Sequence, residues 1–269
     1  MKKYLFLPLL CLFLTQVLWA VPSDGLVGLW YFNSNAQDST TNSNNGTING
    51  ATLTTDRFGN ANSAYSFDGN DYIRIGKPIP STLQMSTAFA ISAWIKPTSI
   101  GSELGGIVAS QYDPAYSGYS MQFEYRTSVH GGYQRGIHFQ VGNGSNYWTN
   151  ASEGSTATTM ALNQWHHIVV MAQVNAVYEV YIDGVKVTNW TAEGNIAYNL
   201  NCDLLFGANS YNGSPTRYFY GSIDDVAIYN KVLSTSEINQ LYTEVVPEPH
   251  AILFFSIGLI FVRYFLKKK

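Results

Sequence analysis

The chain has 269 residues and a formal net charge of −3, with 12% charged residues against 46% hydrophobic and 14% aromatic ones. Six of the fifteen basic residues (Lys2, Lys3, Arg263, Lys267, Lys268, Lys269) stand at the two ends, and all eighteen acidic residues lie between Asp24 and Glu248. The middle therefore carries nine basic residues against eighteen acidic, which argues against nucleic acid or anionic lipid as its partner and is compatible with a neutral glycan or a cation.

Lys2 and Lys3, the apolar run Tyr4 to Leu14 and the Trp19-Ala20 pair have the order of a secretory signal peptide, with cleavage expected after Ala20. Removal of 1–20 leaves Cys202 as the one cysteine, so no internal disulfide forms and the exported region rests on its core. The stretch 21–245 is long enough to bury a sizeable core without staples.

From Gly25 to Tyr242 short β-branched and aromatic runs alternate with Gly, Asn, Ser and Asp. Phe89 to Ile95 alternates Phe89, Ile91, Ala93 and Ile95 against Ala90, Ser92 and Trp94, which predicts a strand with one core face. Gly136 to Val141 predicts another, and Ile168 to Ala172 a strand covered on both sides. Val177–Ile182, Asp183-Gly184 and Val185–Val187 predict a hairpin whose turn needs positive φ.

Ile223 to Tyr229 predicts a strand in which period-two alternation places Asp224 with Val226 and Ile228, and Asp225 on the opposite face. The only helical signal before the C-terminal segment is Ser234-Thr-Ser-Glu237, a capping box followed by Ile238, Leu241 and Tyr242 on one face. Many short strands and one short helix predict an all-β sandwich or jelly roll.

Gly25-Leu-Val-Gly-Leu-Trp-Tyr-Phe32, Asp38 to Gly46, Phe58 to Gly69, Ala93-Trp-Ile-Lys-Pro97, Gln164-Trp-His-His-Ile168, Val180-Tyr-Ile-Asp-Gly184 and Gly221-Ser-Ile-Asp-Asp-Val226 resemble, in order, the motifs of laminin G-like, concanavalin A-like jelly-roll modules. The resemblance covers about Leu26 to Tyr242 and implies two antiparallel sheets packed face to face. It does not fix a ligand.

Asp38 opens a stretch crowded with Asn42, Asn44 and Asn45, oxygen donors of the kind Ca²⁺ takes. The family resemblance implies that Asp38, with Asn44 nearby, and Asp224 can share a structural calcium. The alternative is that Asp38 and the asparagines form Asx turns and Asp224 accepts backbone N–H bonds.

Glycoside hydrolysis needs two carboxyls flanking the bond, and the Glu-x-Asp-x-Glu strand pattern of laminarinase-type relatives is missing. Asp183 is accounted for by its turn, and His166 and His167, adjacent on a strand, cannot both face one ion. No Ser-His-Asp or Cys-His set is persuasive, and Cys202 reads as a small buried apolar side chain. No enzymatic activity is expected.

Sugars stack on aromatic rings and pair with carboxamides. Tyr112, Tyr116 and Tyr119, with Tyr147 and Trp148, sit in stretches read as loops and are the candidate ligand residues. The expected role is a non-catalytic carbohydrate-binding module; the alternatives are a structural or adhesive matrix protein with protein partners and, further off, a glycoside hydrolase.

The segment 246–269 has three parts: Val246-Pro247-Glu248-Pro249, an apolar helix over 251–266 interrupted by Arg263, and the basic tail Lys267 to Lys269. Sixteen helical residues reach about 24 Å, short of the roughly 30 Å hydrocarbon core. The order resembles PEP-CTERM sorting signals, which implies an exosortase as partner and an exported, transiently membrane-anchored protein of a Gram-negative bacterium, released to the cell surface or extracellular matrix.

Overall fold

The strands run in the order β1 Leu26–Trp30, β2 Thr47–Asn49, β3 Thr52–Thr54, β4 Ala64–Asp68, β5 Tyr72–Gly76, β6 Ala88–Pro97, β7 Leu104–Tyr112, β8 Ser117–Thr127 and β9 Tyr133–Gly142. They continue with β10 Tyr147–Trp148, β11 His166–Gln173, β12 Val177–Ile182, β13 Val185–Trp190, β14 Leu204–Phe206, β15 Asn209–Tyr211, β16 Ser214–Thr216 and β17 Tyr220–Tyr229, before helix α1, Thr235–Thr243. The computed structural model describes residues 21–99, 104–127, 133–148, 160–190, 194–211 and 213–243, with backbone alone at 112–113, 125–127, 133–134, 147–148 and 188–190. The expected signal peptide, the Val246–Pro249 motif and the 251–266 helix lie outside these residues. Among the described residues no helix is long and apolar enough to cross a membrane.

Two antiparallel sheets face each other. Sheet A follows the path β13-β12-β11-β6-β17-β4-β3, with β1 also paired to β17. Sheet B follows β10-β9-β8-β7-β14-β5-β2, and β15 and β16 form a separate hairpin. The all-β sandwich with one short helix is therefore as the sequence predicts. Pro22–Tyr242 makes up one compact unit.

The core is built from alternate residues of both sheets, as the pleat requires. Phe89, Ile91, Ala93 and Ile95 of β6 join Ile168, Val170 and Ala172 of β11, while sheet B contributes Tyr119, Met121 and Phe123 of β8 and Ile137, Phe139 and Val141 of β9. Trp30 is fully buried edge-on to Phe206, at 4.9 Å between ring centroids, and its indole N–H donates to the Asn44 carbonyl. Val169 and Met171 are buried as well, so β11 is covered on both faces as its unbroken apolar run implies.

The turn between β12 and β13 has Asp183 at φ 51° and Gly184 at φ 76°, the primed geometry that an Asp-Gly pair favours. At α1 the Ser234 backbone N–H donates to Glu237 Oε2 and the Glu237 N–H to Ser234 Oγ, closing the expected capping box. Ile238 and Leu241 are buried, whereas Tyr242 is part-exposed and stacks on Trp94, on the face of sheet A away from the core.

One parity differs from expectation. The pairing of β17 with β6 shifts between Asp224, opposite Trp94, and Ala227, opposite Ser92, and Asp225 takes φ 43°. This is a β-bulge, an extra residue that breaks the alternation. Ile223, Val226 and Ile228 all face the core while Asp224 faces outward beside Trp94, so Asp224 does not share a face with Val226 and Ile228. Nor do the two aspartates diverge: both reach Arg57.

Candidate functional site

The rim at one end of sheet B is made by short connections. β7 ends at Tyr112, a single 3-10 turn covers Asp113–Ala115, and Tyr116 follows at φ 42° before β8 starts. The Tyr116 carbonyl accepts from the Gly144 N–H at 2.8 Å, fixing this turn to the β9–β10 connection. Gly142 is required at the crossing, because a Cβ there would lie 2.2 Å from the Tyr116 oxygen.

The β9–β10 connection is an Asx-type turn. Asn143 Oδ1 accepts from the backbone N–H groups of Ser145 and Asn146, and Asn143 Nδ2 donates to Asn146 Oδ1 at 2.6 Å. Ala197 ties in a third loop, donating to the Gly142 carbonyl and accepting from the Gly118 N–H. Tyr116 is 45% exposed, and Ser145 and Asn146 are exposed beside it. The rim thus presents an aromatic ring and carboxamides together.

Of the other predicted ligand residues, Tyr119 belongs to the core: it is fully buried on β8, and its hydroxyl is 3.4 Å from the Leu83 carbonyl. The stretch read as a loop through residue 119 is thus only 113–116. Tyr112 ends β7, and Tyr147 and Trp148 form the short β10, paired with Gly142 and Val141; their side chains lie outside the described residues.

Behind the rim, the outer face of sheet B carries a polar row that sequence reasoning missed. Gln111 donates to Gln140 Oε1 at 3.0 Å, Gln122 donates to Ser120 Oγ at 2.8 Å, and Asn209 donates to both Gln111 Oε1 and Gln122 Oε1. Asn209 reaches them because β15 crosses directly over Gly106, where a Cβ would meet the Ala208 backbone at 2.2 Å. The available signal was the alternation of Ser120, Gln122 and Glu124 against Tyr119, Met121 and Phe123. Glu124 is the one carboxylate among Ser120, Gln122 and Glu124.

The calcium candidates have separate partners. The Asp38 carboxylate accepts four hydrogen bonds, from the N–H groups of Leu29 and Thr40 on one oxygen and from Asn44 N–H and Thr40 Oγ1 on the other, which uses all its lone-pair sites. The Asn44 side chain donates to Thr82, and Asp224 is ion-paired with Arg57. These residues do not fit a calcium shared between Asp38 and Asp224. Among the described residues no group of three or more His, Cys, Asp and Glu is placed to hold a metal ion.

On the outer face of sheet A, Arg57 lies between the rings of Phe58 (4.3 Å) and Trp94 (4.6 Å), and Tyr242 stacks over both Trp94 and His167. His167 Nε2 is 2.8 Å from Ser92 Oγ, and Asp183 is close by. The wiring is not that of a hydrolase triad, because Asp183 accepts from the His167 backbone N–H and meets the His166 ring, leaving His167 Nδ1 with no hydrogen bond. Burial, helped by the Arg57 charge and opposed by Asp183, pushes the His167 imidazole down to about 3. His166 is raised by its bond to Asp183. Cys202 is buried as expected, and burial pushes its thiol up.

The family model described as the concanavalin A-like lectin/glucanases superfamily matches residues 67–239, and the chain belongs to this laminin G-like family. No curated protein matches it. Among solved structures it is similar to domain 4 of AbnA, an extracellular arabinanase of Geobacillus stearothermophilus crystallised with arabinotriose, at 22% identity and a TM-score of 0.61, covering 81% of this chain and 98% of that one. It is similar to the binding domain of Paraclostridial mosquitocidal protein 1 at 18% identity and a TM-score of 0.55, covering 81% of this chain and 52% of that one. The binding domain of botulinum neurotoxin DC, in complex with rat synaptotagmin II, follows at 15% identity and a TM-score of 0.53, covering 81% and 51%. The chain spans about half the length of these toxin domains, and likeness at such identities carries the fold alone.

Proposed function

We propose that the protein is a non-catalytic carbohydrate-binding module whose ligand lies on the Tyr116 rim, stacked on the tyrosine ring and hydrogen-bonded by Asn146 and Ser145. The carrying observation is the exposed ring held at fixed distance from the carboxamide turn by the Gly144 to Tyr116 bond. Two similar structures support the ligand class: the arabinanase domain holds arabinotriose, and cell entry of botulinum neurotoxin type C depends on interaction with two ganglioside molecules. The acidic middle of the chain suits a neutral glycan better than an anionic one.

The proposal extends to location. Export by 1–20, retention by 251–266 and processing by an exosortase near Val246–Pro249 would deliver the module to the cell surface or matrix of a Gram-negative host, where polysaccharide is the abundant partner. Binding is tested on a glycan array that includes arabino-oligosaccharides, with Tyr116→Ala expected to weaken every hit at least tenfold; a blank array overturns the reading. Mass spectrometry of the mature protein tests the route, because a C-terminus still ending at Lys269 would leave a plain anchor.

A further inference from the structure

The Tyr116 rim continues past the β9–β10 turn. Ala197, bonded to Gly142 and Gly118, leads into a tight turn in which the Cys202 N–H donates to the Asn199 carbonyl at 2.9 Å and the Asn201 N–H donates to Asn199 Oδ1. The Cys202 carbonyl accepts from the Ile79 N–H at 2.8 Å, which ties this turn to the segment after β5. Leu200, in the turn, is 83% exposed, more than any other large hydrophobic side chain among the described residues.

The β15–β16 hairpin reaches the same end of sheet B. Lys77, just beyond β5, donates through Nζ to the Gly213 carbonyl at the hairpin tip, and a Cβ on Gly213 would lie 3.7 Å from the Asn201 oxygen. In β15, Asn209 points to Gln111 and Gln122 of the sheet, so period two turns Tyr211 to the same side, two residues nearer the tip. The Tyr211 ring is 51% exposed. Single apolar side chains on a surface are ordinary. Here three segments far apart in sequence bring two tyrosines and a leucine to one end of one sheet, with Asn146 and Asn201 exposed among them.

We propose that Tyr211 is a second stacking subsite of the rim, with Leu200 on the path from Tyr116, so that the ligand is a glycan chain long enough to span both tyrosines rather than a single sugar. The proposal rests on the carbohydrate-binding reading and adds chain length to it. The turns that carry the two rings are fixed by backbone hydrogen bonds and by the Lys77 contact, so the second sugar unit docks on a surface already in place. Its contacts belong to a chain that Tyr116 already holds, and they strengthen binding without a second association step. Affinity therefore depends on length.

The test applies the full chain to an array printed with disaccharides, tetrasaccharides and hexasaccharides of arabinan, xylan, glucan, mannan and galactan, read as apparent Kd. At least one series is expected to bind about tenfold more tightly as the hexasaccharide than as the disaccharide. Tyr211→Ala is expected to abolish that gain while leaving the disaccharide within about twofold of the parent. Tyr211→Phe keeps the ring and should keep the gain, and Tyr116→Ala should weaken every length. Tyr211 is exposed, so all the Tyr211 variants should melt with the parent. Equal affinity at all lengths, a Tyr211→Ala protein that retains the gain, or a gain lost equally in Tyr211→Phe overturns the second stacking subsite and leaves the Tyr116 rim standing. A blank array overturns both.

Discussion

Arg57 Nη1 sits 3.1 Å from Asp224 Oδ2 and also pairs with Asp225, joining the connection between β3 and β4 to the bulge of β17, 167 positions later in the chain. The side chains of Arg57 and Asp224 are 7% and 3% exposed. Burial and the neighbouring Asp225 hold the Asp224 carboxyl well above the usual carboxylate range, with the Arg57 charge opposing them. Replacing Arg57 with Met is expected to leave two carboxylates on the bulge without their cation, at a cost of about 3–5 kcal/mol. Urea denaturation measures it, and a loss below about 1 kcal/mol would show that the bulge does not depend on the guanidinium.

His167 gives the fold an acid limit. An unfolded histidine titrates near 6.5 and the folded one at about 3, so the unfolded chain takes up a proton first as pH falls. Stability is complete above about pH 6.5 and declines toward pH 3, at up to about 1.4 kcal/mol per pH unit. Comparing denaturation curves at pH 7 and 4.5 for the parent and His167→Gln isolates this imidazole from the carboxylates that titrate in the same range. The difference between the two proteins should shrink on acidification; a constant difference would contradict the buried neutral imidazole.

The Asp183–His166 contact acts in a different window. Burial alone would raise the Asp183 carboxyl, but the His166 bond, the His167 backbone N–H and the nearby imidazoles outweigh it and hold it below its usual value. His166, raised, contributes stability that is complete below 6.5 and lost as pH rises through its folded value; Asp183, lowered, contributes stability present above 3.8 and lost as pH falls through its own. Both contributions are present between about pH 4 and 6.5. Asp183→Asn keeps the positive φ of the turn and removes the charge, so the His166 titration midpoint should drop toward 6.5 by NMR while stability falls about 1 kcal/mol. A midpoint that stays put would assign the shift elsewhere.

Calcium is expected to be dispensable. Every lone-pair site of Asp38 already receives a donor, so adding EDTA should leave the melting temperature unchanged, and Asp38→Ala should lower it by orphaning the Leu29 and Asn44 amides, at about 1–3 kcal/mol. A fall of several degrees on chelation would restore the metal.

What could be read from the residues beforehand follows the pleat. Phe89, Ile91, Ala93 and Ile95 kept their alternation, and Asp183-Gly184 its turn, because each is decided by neighbours in sequence. Asp224 escaped because a bulge is a two-strand event, invisible in one strand. Tyr119 looked like a loop aromatic because the β7–β8 connection is so short that the tyrosines on either side of it read as one cluster. The carboxamide row required β15 to cross over Gly106, a contact that only the tertiary fold brings about.

The pairing of β1 with β17 has a consequence for how the chain is made. Leu29 and Trp30 close against Ala227 and Val226, and β17 also zips β4 to β6, so the strand that completes sheet A is the last to be synthesised. Loop closure over some two hundred residues must precede those contacts. Until Tyr229 has been synthesised, β1, β4 and β6 lack the strand that joins them.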